Sequence, residues 1–494
     1  MGRINSNVES LIARRALNTN NTSLNQALLR LSTGLRINSG RDDPAGLIAS
    51  ETLRSSLRAI NTAVQNAVRA DTIVSVAEGG LQEISSLLLE LENLVDQTAN
   101  EAGVTSDEVS ANQLQIDSIL ASINRLAEAT AFGGKKLLNG NLDFTTSGIN
   151  INEATGAALT DLDKVQVNSA KVAAGSFRQV NINVVTPSEV ALVSAVAAGT
   201  DSSGVLNGTI NGVTTIQIRG NLGSEILSFA SGTSTATIAT TIQASSELTG
   251  VSATASAATG GPASLVFQST EYGKDQFVTI SIIQNTAGFV SQAADTTDYG
   301  VNGTVTVNGA NAVVAGLDVS VNSGSLAIDL RLTSTFGSTA NGTTSFEIKG
   351  GGAVFSISPT VGLSGQESIG IAEVSTAKLG NKGLGFLATL GTGLANDLAA
   401  KNFTTAQKIV RASINQIATL RGRLGGFQKN TLVTTMNSLR IAAENVTAAE
   451  SAIRDADFAV ETSNLVRAQI LVASSIQVLQ LANAQPQNVL ALLG

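Results

Sequence analysis

The chain has no cysteine, no histidine, no tryptophan and only two tyrosines among its 494 residues. Each gap closes off a chemistry. Without cysteine there is no disulfide, no thiol nucleophile and no thiolate metal site. Without histidine the usual general base and the commonest metal ligand are missing. With aromatics at 3% of residues, any core must be built from Leu, Ile, Val and Ala. Such small, uniform side chains suit seams between helices better than an enzyme pocket. Proline is also scarce, five in all, so little stands in the way of long helices.

Other absences narrow the partners. The net charge of −8 argues against nucleic acid, whose phosphates need a basic field. Residues 181–370 hold twelve Asp and Glu against four Lys and Arg, so the middle carries the net charge and the ends are close to neutral. Acidic middle and neutral, apolar ends suit an object whose ends associate with copies of themselves. No run of about 18 uninterrupted apolar residues exists, so no membrane span is expected. The start, MGRINSNVESLIARRALNTNN, has no apolar core or small-residue cleavage site, so it is not a cleaved secretory signal.

What is present is a symmetry. Residues 1–140 and 401–494 are both apolar at helical spacing, while roughly 175–400 is rich in Thr, Ser, Gly and Val and alternates. The expected fold is mixed. The N- and C-terminal segments together form an all-α coiled coil and helix bundle, with an inserted, mainly antiparallel β central region. Leu17, Leu24, Leu28, Leu31 and Leu35 keep a coiled-coil rhythm, answered at the other end by Leu465, Val472, Ile476 and Leu479 and by an apolar tip at Val489 and Leu490. Those ends lack a third helix in cis to cover them, so intersubunit packing is favoured there. The leucine pattern stops at Gly40, which suits a helix C′ position, and Asp43-Pro44 reads as an N-cap followed by Pro at the first helical position. Gly79-Gly80 and Gly425-Gly426 read as breaks in later helices, and the last helix is expected to fade near Pro486. In the middle, Asn-Gly pairs at 207–208, 211–212, 302–303, 308–309 and 341–342 signal hairpins in one or two modules.

Candidate catalytic readings are weak. Asp42 and Asp43 are better explained as caps beside Pro44 than as an acid–base pair. Asp455 and Asp457 lack the further oxygens that a cation site needs. Gly133-Gly134-Lys135-Lys136 is not a phosphate loop, because no Ser or Thr follows the lysines. No enzyme activity and no cofactor is expected.

Several long motifs resemble bacterial flagellin. They are RLSTGLRINSGRDDPAGLIASETLRSSLR over 30–58, AFGGKKLLNG over 131–140, LGGFQKN over 424–430, ENVTAAESAIRDADFAVE over 444–461, RAQIL over 467–471 and ANAQPQNVLALL over 482–493. The resemblance covers about 1–175 and 400–494. It implies three regions. Residues 1–42 with 458–494 would form a terminal coiled coil lining a filament's inner tube, and 43–175 with 401–457 a helical bundle with a β-hairpin. Residues 176–400 would form a surface-exposed, β-rich variable region.

The same resemblance implies a secreted subunit of the flagellar filament, exported unfolded by the flagellar type III system, with terminal segments that order only on assembly. The alternative is a hook–filament junction protein. Implied partners are the chain itself, the filament cap and hook-associated junction proteins, and an export chaperone on the C-terminal helix. Neither nucleic acid nor membrane is among them. A Toll-like receptor grips the family's helix corresponding to 81–100. Here Leu88, Leu94 and Gln97 fit that pattern, but Glu90 and Glu92 stand where it has arginine, so weak or no receptor activation is expected.

Overall fold

The computed structural model of the chain describes residues 7–148, 161–173, 175–197, 208–256, 264–285, 289–291 and 296–493. They pack as two compact units. The first comprises Met1–Thr72, Phe355–Gly365 and Gly426–Gly494, and the second Ile73–Val354 and Gln366–Gly425.

Helix α1 (Val8–Thr33) begins under Asn7, whose side-chain oxygen accepts the Ser10 N–H at 3.0 Å. It ends earlier than the leucine rhythm predicts. Gly34 takes φ +72° and closes its N–H on the Arg30 carbonyl at 2.8 Å, a left-handed cap that glycine adopts without a Cβ penalty. Leu35 therefore lies beyond the helix, in a bridge with Asp455, and Gly40 is not a helix cap. Helix α2 (Pro44–Thr98) starts after Asp43, which accepts the Gly46 N–H at 2.9 Å.

Helix α2 then runs unbroken for 55 residues, straight through Gly79-Gly80. The two glycines do different things. A Cβ on Gly79 would meet nothing within 4 Å, whereas one on Gly80 would lie 2.7 Å from Thr130 Oγ1 and 3.0 Å from Leu138 Cδ1. Gly80 is a close approach, not a break. Leu81, Ile84, Leu88, Leu91 and Val95 form the buried stripe that follows. Helix α3 (Ser106–Ala129) opens with a capping box between Thr105 and Glu108 and buries Ile116, Ile119 and Ile123. A hairpin of Ala131–Phe132 with Lys135–Lys136 turns through Gly133 and Gly134, both at positive φ.

The middle is antiparallel β, in two nested modules rather than two consecutive ones. In one, a sheet ordered Ala310–Asn311, Thr304–Val307, Arg178–Thr186, Gly342–Gly351, Phe144–Ser147 shares a core with a sheet ordered Val313–Ala315, Asp318–Ser323, Leu326–Leu332, Leu162–Ala170. Their inward residues alternate, as in Leu326, Ile328, Leu330 and Leu332. The other module is inserted between Thr186 and Thr304. Its sheets run Phe289–Ser291, Leu192–Ala197, Ser264–Ser269, Val251–Ser256 and Thr296–Tyr299, Phe277–Asn285, Thr214–Gly220, Ser224–Phe229. Helix α4 (Thr235–Ala244) adds Ile238 and Ile242 to their core around Phe267. Of the Asn-Gly pairs, 308–309 makes the expected two-residue hairpin, with both residues at positive φ between Val307 and Ala310. Asn302 instead ties the modules together. Its Oδ1 accepts the Lys274 and Gly316 N–H groups at 3.1 and 3.0 Å, and its Nδ2 donates to the Val314 carbonyl at 3.0 Å. Asn207 lies outside the described residues.

Helix α5 (Phe403–Gly426) does not break at Gly425-Gly426. The rod passes through a π segment, Phe427–Val433, into α6 (Thr434–Arg454). In the first unit, Leu432 and Met436 pack with Ala67, Ala70 and Ile357, and Leu439 packs with Ile60 and Ala63. In the second, α5 carries Arg423 into a buried polar cluster. Arg423 donates to the Asn168 side-chain oxygen and to the Gly370 carbonyl, and Asn168 donates to Asp329 at 2.7 Å. Burial lowers the Arg423 pKa against the nearby Asp329 and Asp143, and burial raises that of Asp143. The final helix, α7 (Phe458–Leu493), continues past Pro486.

The glycine pair gives a direct test of the α2 reading. Replacing Gly79 by Ala should raise stability by about 1 kcal/mol, the helix-propensity difference. Replacing Gly80 by Ala should lose that gain and destabilise by about 1–3 kcal/mol through overpacking. Urea unfolding of the two variants measures both, and equal effects would contradict the close approach.

Candidate assembly interface

The first unit brings the chain's two ends together. Helices α1 and α7 run antiparallel, and their contacts share one register. Asn20 donates from Nδ2 to Ser475 Oγ at 2.6 Å, Ser10 donates to Asn483 at 2.8 Å, and Arg30 pairs with Glu461 at 3.1 Å. That register sets Ala13 level with Ala482 and Ala27 level with Ala468, and all four alanines are buried. Ala13, Asn20 and Ala27 are spaced by sevens, as are Ala468, Ser475 and Ala482. The seam is thus a heptad ladder of small residues with one polar rung. Small side chains let two helices approach closely.

The leucines expected to pack between subunits flank this seam and are only partly covered within the chain. Leu17, Leu24 and Leu31 are half-buried beside the alanine column, and Leu28 is 45% exposed. On α7, Leu465, Val472 and Leu479 are half-buried and Ile476 is 43% exposed. The side chains of Val489 and Leu490 lie outside those described. The seven-residue recurrence of Ala13 and Ala27 about Asn20, mirrored at the other end, was the signal to follow.

A seam of alanines leaves the big apolar side chains pointing elsewhere. Leu11, Ile12 and Leu29 on α1 are at least half exposed, as are Phe458, Val466, Ile470 and Leu481 on α7, with Ile470 at 64%. Val466, Ile470 and Leu471 line a shallow open groove together with Arg467 and small polar residues. Over Phe458–Ala484 this helix is long and apolar enough to cross a membrane by length and composition, with 11% of it buried. The sequence expectation of no span rested on an uninterrupted apolar run. Helix α7 passes on average hydropathy instead, because its polar residues are mostly uncharged Ser, Thr, Asn and Gln. Arg30 against the 8%-exposed Glu461 side chain, and Asn20 against Ser475, give it a protein partner on one face.

The joins next to the pair are clasped to each other. The Arg36 N–H donates to the Arg454 carbonyl at 2.7 Å, and the Ala456 N–H donates to the Gly34 carbonyl at 2.9 Å. The Arg36 guanidinium donates to the Ile453 carbonyl at 2.6 Å, taking up an acceptor that the end of α6 leaves open. Asp42 accepts from the Ser39 and Asn38 N–H groups and the Ser39 hydroxyl, and these bonds hold its pKa below the ordinary value against partial desolvation. Glu51 is held low by Arg54 and then by Arg454. Asp42 and Asp43 are therefore each engaged by local backbone. Asp455 accepts from Ser451 at 2.6 Å, and Asp457 accepts the Ala459 and Val460 N–H groups at the start of α7.

In the second unit, the stretch singled out on α2 is split between inside and outside. Leu88 and Leu94 belong to the buried stripe, whereas Glu90 and Gln97 are exposed. Glu92 accepts from Arg411 Nε at 2.7 Å, which raises the Arg411 pKa.

Paired terminal helices with uncovered apolar faces, joined through a clasp to a helical rod, have the plan of a helical-ended structural protein. Comparison with known proteins gives the family. Residues 4–143 match the bacterial flagellin N-terminal helical region, and residues 407–493 match the bacterial flagellin C-terminal helical region. Over 99% of both chains, the sequence is 29% identical to the flagellin of Salmonella muenchen and 28% identical to the B-type flagellin of Pseudomonas aeruginosa. The chain belongs to the flagellin family, a family of structural proteins. Among solved structures, flagellar hook associated protein-3 of Legionella pneumophila aligns over 82% of this chain and 98% of that one, at 12% identity and a TM-score of 0.30. That superposition is too loose to bear on role.

Proposed function

We propose that this chain is the subunit that polymerises into the helical filament of a bacterial flagellum and serves swimming motility. One observation carries the reading: the α1–α7 pair buries alanines and leaves Leu11, Ile12, Leu29, Val466, Ile470 and Leu481 uncovered within the described chain. Val466, Ile470 and Leu471 adjoin along one groove of α7, and clustered exposed apolar side chains call for a partner. A second copy offers the same kind of surface, and repeated head-to-tail contact between unlike patches extends as an open helix. In this reading 1–42 with 458–494 line the inner tube, 43–175 with 401–457 make the next shell, and 176–400 form the outer surface. Export is unfolded, through the flagellar type III channel. The filament cap, the junction proteins and a chaperone on α7 are further partners, and the assembled product is extracellular.

The reading also implies weak or no activation of a Toll-like receptor. Glu90 presents negative charge, Glu92 is engaged by Arg411, and Leu88 and Leu94 are turned into the core. A receptor reporter assay checks this, and a response at the same dose as a flagellin with a basic epitope would contradict it. The polymerisation claim is checked by seeding the purified chain and a copy lacking 459–494. Electron microscopy should show long tubular filaments from the first and none from the second. An intact chain that stays monomeric on competent seeds would favour the junction-protein alternative.

A further inference from the structure

Pro486 should stop α7, yet the helix continues to Leu493. A proline inside a helix has no N–H to give, and the carbonyl four residues earlier loses its donor. That carbonyl belongs to Ala482, a residue buried in the seam with α1. Water does not readily reach it there, and an unmet buried acceptor is costly. The structure supplies the missing donor from the other end of the chain: Asn7 Nδ2 donates to the Ala482 carbonyl at 2.8 Å.

The same side chain is already at work. Asn7 Oδ1 accepts the Ser10 N–H at 3.0 Å and so starts α1. One residue further on, Ser10 Oγ donates to the Asn483 side chain at 2.8 Å, so the contact is a small polar cluster rather than a single bond. The Asn7 amide offers an acceptor to one helix through Oδ1 and a donor to the other through Nδ2 at the same time. Aspartate could cap α1 but could not serve Ala482.

We infer that Asn7 is a positioning residue for assembly: its amide replaces the donor that Pro486 removes, so the last turns of α7 are helical only when α1 is docked beside them. The proline then serves a purpose. Alone, α7 is interrupted at 482–486 and its tip is left without a continuous helix. Docked on α1, it is completed, and the apolar tip is delivered in helical form. This rests on the α1–α7 pairing and extends the filament reading by naming the contact that couples the two ends.

Four full-length proteins test it: the unaltered chain, Asn7→Asp, Pro486→Ala and the double variant. Asn7→Asp keeps the cap on α1 and exchanges the donor for a carboxylate oxygen that cannot serve the Ala482 carbonyl. Pro486→Ala restores the intrahelical N–H, which makes the Asn7 amide redundant. Seeded elongation should slow by at least about tenfold in Asn7→Asp, remain near the unaltered rate in Pro486→Ala, and return to within about twofold of it in the double variant. Amide exchange at 487–493 should follow the same order. An Asn7→Asp defect that persists undiminished with Pro486→Ala would overturn the inference, as would normal growth of Asn7→Asp. If the unaltered chain does not grow from seeds, the filament reading fails, and amide exchange in the soluble chain still decides the role of Asn7. Protection over Val8–Thr33 with none at 487–493 in the unaltered chain would then reject it, because α1 would be formed without completing α7.

Discussion

Two helices cannot bury each other's full circumference, and the chain's terminal pair depends on that geometry. A helix buries one stripe against one neighbour. In α1 and α7 that stripe is given to Ala13, Ala27, Ala468 and Ala482, which bring the helices close but remove little apolar area from water. The larger side chains are left on the outside. An isolated pair of this kind gains too little to offset the entropy of ordering some sixty residues, at about 1–2 kcal/mol for each backbone residue fixed. On the proposed reading, association is coupled to folding, and the energy that orders the ends comes from neighbouring copies.

The rest of the chain is arranged around that dependence. The clasp of Arg36 and Gly34 on 453–456 fixes where the terminal pair leaves the helical rod. Asp42 and Asp43 stabilise the turn between α1 and α2 by accepting backbone N–H groups. Glu461, nearly buried, is matched by Arg30, so the one acidic side chain in the seam does not repel the pair. The β modules have their own hydrophobic cores, made of residues between Phe144 and Ile348. Stability is thus divided. Buried cores hold the middle, and on the proposed reading neighbouring copies hold the ends.

The helical ends and the β middle were legible because periodicity is a direct record of which face is buried. The family was legible in another way, through the resemblance of the motifs at 30–58, 131–140, 424–430 and 444–493 to those of flagellins. Errors arose where one residue type has two uses. Gly79-Gly80 reads as a break, but Gly80 makes room for Thr130 and Leu138 within a continuous helix. Gly34 rather than Gly40 ends α1, because the cap is set by the last carbonyls in need of a donor and not by where the leucines stop. The alanine column of the α1–α7 seam went unread, because its small residues give little apolar signal beside the leucines that flank it. Pro486 passes within a helix through a donor 479 residues away in sequence, which no local pattern records. The nesting of one β module inside another has the same character, since strand pairing between 178–186 and 304–307 is long-range.

The central claim is that the outward face of α7 is covered by another copy. The absence of cysteine makes it directly measurable, because Ile470→Cys creates the chain's one thiol at a position 64% exposed in the subunit. Maleimide labelling should be rapid in the free chain and suppressed by about tenfold or more once filaments have grown, as expected for a thiol buried in an intersubunit core. Equal labelling rates in free chain and filament would contradict the account, since the apolar face would then be facing water after assembly as before it.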